Sequence, residues 1–239
     1  MLRRCGVPVL ASILMVSAAA CSAGPGTAET ASASASPSIA ADQYLPIAEG
    51  NAWTYLVKGD AAGTMIRTMK NVTFGAGGAE GDLTDSTSID DHPEAATIEQ
   101  QRVRLRQDGG MDVMPYPSVS GSAVVSVSGT ITYPSTAQYT AGRHTSGHLV
   151  LSIRSTDGTT SVDATFDVSS PRVQDVSTPA GRFHARVFVE VLTGQVADRH
   201  GTIMTTTSWF APGVGMVKRT ITSADRTAEY LLTSSRLSS

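Results

Sequence analysis

The sequence predicts a mainly β fold, an antiparallel meander forming a strongly curved sheet or half-barrel with few helices. Three observations predict it. Apolar and polar residues alternate with a period of two in one segment after another. Short turn signals separate those segments. No stretch carries a convincing helical period.

The first strand is expected after Gly50-Asn51, a pair suited to a turn because both residues tolerate positive φ. It places Trp53, Tyr55 and Val57 on one face. From Gln101 to Gln107, Val103 and Leu105 oppose Arg102, Arg104 and Arg106, and Asp108-Gly109-Gly110 turns the chain. From His148 to Arg154, Leu149, Leu151 and Ile153 share a face. Asp157-Gly158 separates that run from one in which Val162, Ala164, Phe166 and Val168 alternate with Asp163, Thr165 and Asp167. Thr178-Pro179-Ala180-Gly181 reads as a turn into RFHARVFVEVL, where Phe183, Ala185, Val187, Val189 and Val191 share a face and Phe188 is the exception. Late in the chain, Pro212-Gly213 turns after Trp209-Phe210, and Gly215 marks a bulge or a close backbone approach. The polar stretch 135–147 reads as a long loop between two halves. Strands of about ten residues favour a curved sheet over a compact sandwich.

The chain divides into three parts. Residues 1–20 form a signal peptide, with Arg3 and Arg4 as its basic head, an apolar run from Cys5 to Val16, and small residues before Cys21. That run falls short of the roughly 20 residues that span a bilayer. Residues 21–41 begin with Cys21 and continue as a Ser/Ala/Thr/Pro tether with too little apolar mass to form a core. Residues 42–239 form a single β domain. Ser-Ala-Ala-Ala-Cys resembles the lipobox of bacterial lipoproteins, with Ala18 where that family usually has Leu. The resemblance implies lipidation at Cys21 and an outer-face anchor on the cytoplasmic membrane; an ordinary signal cut would instead give a secreted protein. With Cys5 lost and Cys21 lipidated, the two cysteines leave no thiol for a disulfide, a metal or catalysis.

Three stretches resemble a group of bacterial lipoprotein domains, the TapB-like proteins. The first is Tyr44, Pro46, Ile47, Gly50, Asn51, Trp53 and Tyr55; the second is Thr178, Pro179, Gly181 and Phe183. The third is Trp209, Ala211, Gly213, Val214, Gly215 and Val217. They fall in the group's order along the domain. The resemblance implies a curved antiparallel sheet like those of envelope lipoproteins and lipoprotein carriers, and it says little about activity.

Chemistry-bearing motifs are sparse. The net charge is −3, and losing Arg3 and Arg4 makes the chain more acidic, so nothing favours nucleic-acid binding. No HExxH, GxSxG, P-loop or GxGxxG occurs, and no cofactor, metal site or catalytic residue is assigned. His144 and His148 sit in a Gly/Ser/Thr-rich stretch. The acidic run Glu80 to Glu94 reads as a solvated loop, and the Arg102/Arg104/Arg106 stripe as the wet face of a strand. Trp53, Tyr55, Trp209 and Phe210 are the candidate pocket residues or core anchors, because large aromatics dominate local packing. The leading expectation is a non-catalytic, lipid-anchored cell-envelope protein holding an apolar or lipid-like ligand on the concave face of its sheet. The alternative is a scaffold with a filled core and an unidentified protein partner; an envelope hydrolase ranks third.

Overall fold

The structure, a computed structural model, describes residues 44–60, 62–90, 92–120, 123–155, 158–196, 199–224 and 226–238. The signal peptide, Cys21, the tether and Asp157 lie outside the described residues.

The strands are β1 (Ala52–Gly59), β2 (Gly63–Gly75), β3 (Gly78–Ile89), β4 (His92–Arg106) and β5 (Met111–Pro115), followed by the short β6 (Ser118–Ser120), β7 (Ala123–Ser128) and β8 (Ile131–Tyr133). A one-turn helix, α1 (Thr136–Thr140), precedes β9 (Thr145–Ser155), β10 (Gly158–Thr178), β11 (Gly181–Val196), β12 (Arg199–Ala211), β13 (Gly215–Ser223) and β14 (Thr227–Arg236). All fourteen form one antiparallel sheet in the order β6-β7-β9-β10-β11-β12-β13-β14-β1-β2-β3-β4-β5-β8. Two meanders, β1–β5 and β9–β14, are therefore joined where the first strand pairs with the last.

The sheet curls without closing into a ladder-bonded barrel. Its edge strand β8 nevertheless approaches β9, the third strand from the other end: the Thr145 hydroxyl on β9 donates to the Thr132 carbonyl on β8. Right-handed twist makes a sheet this large curl. Register shifts at Thr54/Tyr55, Ser169/Arg172 and Trp209/Phe210 add local bends.

Alternation sets the inner face. Trp53, Tyr55 and Val57 are buried on β1, and Val103 and Leu105 on β4. The Arg102/Arg104/Arg106 stripe points the other way, into ion pairs with Glu80, Asp82, Asp108 and Asp112. Three expectations change. The acidic run is not a loop up to Ile89, because Gly78–Ile89 is strand β3. Its two large apolar residues, Leu83 and Ile89, are too few to show the alternation, yet Asp82 faces out to Arg102 and Asp85 faces in to Arg67. The stretch 135–147 holds α1, whose start is fixed by a reciprocal cap between Ser135 and Gln138. Finally, β11 is buried on both faces at its centre. Ala185 and Val187 pack on one face, and Phe188, Glu190 and Leu192 on the other. The β10–β11 hairpin reaches β14, where the Ala180 amide donates to the Leu232 carbonyl (3.0 Å).

Candidate functional site

The opening motif and the late hairpin meet. Trp53 is 1% exposed, and its indole Nε1 donates to the Val214 carbonyl (2.6 Å). The Tyr55 hydroxyl donates to the Met216 carbonyl (2.8 Å). Gly215 has φ +100°, and a Cβ there would stand 3.2 Å from the Trp53 Nε1. The missing side chain lets the indole lie on the hairpin backbone. Asn51, fully buried, donates through Nδ2 to the Pro46 carbonyl (2.9 Å) and accepts from the Ser238 amide (2.6 Å). These bonds tie the start of the domain to its end.

Beside this packed region lies a cavity of about 250 Å³ on the inner face. Its apolar wall includes Leu83, Val103, Val113, Leu149, Leu151 and Leu192. The exposed Gln100, Tyr116 and Arg226 also line it and mark where it opens. A barrel of about eight strands is just filled by its own side chains. A curled sheet of fourteen is wider, and a cavity remains between its aliphatic walls.

Of the four aromatic candidates, Phe210 lines the cavity. Trp53 and Tyr55 are on the inner face but in the packed region. Trp209 pairs with Val187 on the opposite face, where its Nε1 donates to the Gln174 Oε1 (3.4 Å) and the Lys218 ammonium sits 5.1 Å from its ring. Adjacent residues on a strand point to opposite faces, so Trp209 and Phe210 diverge.

Sequence reasoning missed the polar groups inside. Strand register aligns Trp53, Arg67, Asp85 and Glu99 in one row across β1–β4. Arg67 and Asp85, 4% and 5% exposed, form a two-bond pair (Nε–Oδ1 2.7 Å, Nη2–Oδ2 2.6 Å). Burial works against the Arg67 cation, but Asp85 outweighs it and raises its pKa. Among the described residues, Glu99 has no such partner. Burial, and then the Asp85 carboxylate beside it, push its pKa up to about 7. From across the interior, Glu190 accepts from the Tyr133 hydroxyl (3.0 Å); burial raises the pKa of both. Arg219 on β13 completes the set, and its charge reaches Glu99, Glu190 and Tyr133. The period-two spacing of Arg67 with Met65 and Met69 was the signal available in the sequence.

His144, His148, His184 and His200 are exposed: His144 lies 2.5 Å from Asp167, and His184 2.8 Å from Asp175. Among the described residues, no three His, Cys, Asp or Glu side chains gather as a metal site.

No family model matches the chain, and no curated protein matches it in sequence. The TapB-like resemblance therefore rests on its motifs. Among solved structures, the chain is similar to a protein described as a lipoprotein from Parabacteroides distasonis, at 13% identity and a TM-score of 0.62, over 82% of this chain and 99% of that one. It is also similar to a protein from Bacteroides fragilis described as exported with a YmcC-like fold, at 12% identity and a TM-score of 0.56, over 82% of this chain and 100% of that one. At such low identity these likenesses establish a shared curved-sheet architecture.

Proposed function

We propose that this chain is a non-catalytic, lipid-anchored envelope protein that holds an apolar or lipid-like ligand inside its curved sheet. The cavity of about 250 Å³ carries the reading. An enclosed apolar space of about 150 Å³ already accepts one aromatic ring, and binding sites are mostly apolar with a few placed polar groups. The descriptions of the two similar structures, one as a lipoprotein and one as exported, support an envelope location. The signal peptide and Cys21 support the anchor.

A fluorescent apolar probe such as N-phenylnaphthylamine tests this. It is expected to bind the full chain at one site. Val113→Phe, which fills the wall, is expected to weaken binding by about tenfold, or ~1.4 kcal/mol. Binding indifferent to Val113→Phe would place the probe elsewhere, and no binding would favour the scaffold reading. For the anchor, Cys21→Ala is expected to release the chain from membranes in fractionation.

A further inference from the structure

The cavity has a charge asymmetry that an apolar ligand alone would leave unused. Of the three arginines that line the cavity, Arg226 is at the exposed mouth and Arg67 and Arg219 are more deeply buried. Arg67 is fully engaged: two bonds to Asp85, a contact from Nη1 to the Met216 sulfur (3.6 Å), and the Tyr55 ring 6.0 Å away. Arg219 lines the cavity, its Nε is buried without a hydrogen-bond partner, and among the described residues no carboxylate stands within ion-pair distance. Its guanidinium carbon lies 6.0 Å from the centre of the Tyr230 ring. Arg219 is half-buried, a buried guanidinium donor without a partner is costly, and an incoming anion would satisfy it. The geometry points to a single-chain amphiphile bearing a carboxylate as the occupant, its tail among Leu83, Val113 and Leu151 and its head on Arg219. This rests on the ligand-holding reading above.

Two observations favour an anion over a cation or a neutral head. The acids facing Arg219 are already committed or neutralised: Asp85 to Arg67, Glu190 to Tyr133, and Glu99 through its raised pKa. Below about pH 7, Glu99 is protonated and donates rather than repels. A second cation, Arg226, lines the exposed mouth. The volume lies below the roughly 300–1,000 Å³ of drug-sized sites, which suits one chain rather than two. The groups that set the pH response are Arg67, Asp85, Arg219 and Tyr230 around Glu99, with Glu190 and Tyr133 opposite.

Calorimetric titration of the full chain carrying Cys21→Ala, which has no acyl chain of its own to compete, separates the outcomes. Decanoate is expected to bind at least about tenfold more tightly than decanol. Arg219→Gln should erase that preference, lowering decanoate affinity far more than decanol affinity, and Arg219→Lys should restore part of it. Decanoate affinity should fall several-fold between about pH 6 and pH 8 as Glu99 ionises, and Glu99→Gln should flatten that fall. Equal binding of the two probes, or a preference that survives Arg219→Gln, would overturn the headgroup assignment and leave the apolar site standing. Failure of both probes to bind would overturn both.

Discussion

The region around Trp53 and the region around Arg219 belong to one sheet and face one interior. Around Trp53, indole and phenol donors end on hairpin carbonyls, glycine lets the ring touch backbone, and the space is filled. Around Arg219, short aliphatic side chains line opposite walls and a donor is left over. The first region shows how a curled sheet without a disulfide secures its two chain ends. The second shows the space that a wide curl leaves between its aliphatic walls.

The largest expected effect comes from the buried charge pair on the cavity wall. Arg67→Ala strands the Asp85 carboxylate in the interior and should cost about 3–5 kcal/mol in urea unfolding. The double variant Arg67→Met, Asp85→Leu should recover most of that loss. Next, leucines in the two regions should differ: Leu232→Ala belongs at the upper end of the roughly 2–5 kcal/mol range for such truncations, and Leu151→Ala on the cavity wall at the lower end. Equal costs would mean the cavity collapses easily. Gly215→Ala forces a Cβ toward the Trp53 indole at positive φ and should cost about 1–3 kcal/mol, visible also as a shift in tryptophan emission.

The smallest effect is pH-dependent. The folded pKa of Glu99, about 7, lies above the ordinary carboxylate value of about 4.3. Between these values the folded protein holds more protons than the unfolded chain, so stability falls as pH rises. Glu99→Gln cannot ionise and should gain about 1–2 kcal/mol over wild type at pH near 8, and little near pH 5.

The strands were legible wherever large apolar residues alternate, as in Trp53-Tyr55-Val57 or Val103-Leu105. So was the close backbone approach at Gly215. Strand β3 was not, because Asp and Thr occupy inward positions that only the partner strand explains. Nor was the row Trp53-Arg67-Asp85-Glu99. It depends on the register of four strands, which one sequence does not encode locally. The divergence of Trp209 and Phe210 follows from strand geometry alone, but which of them met the cavity depended on how β11 is covered.

Native mass spectrometry of the Cys21→Ala full chain, purified without detergent, tests the central claim most directly. The account predicts a species heavier than the chain by one amphiphile, lost on solvent extraction and restored by added decanoate. A bare chain that takes up neither decanoate nor decanol would contradict it.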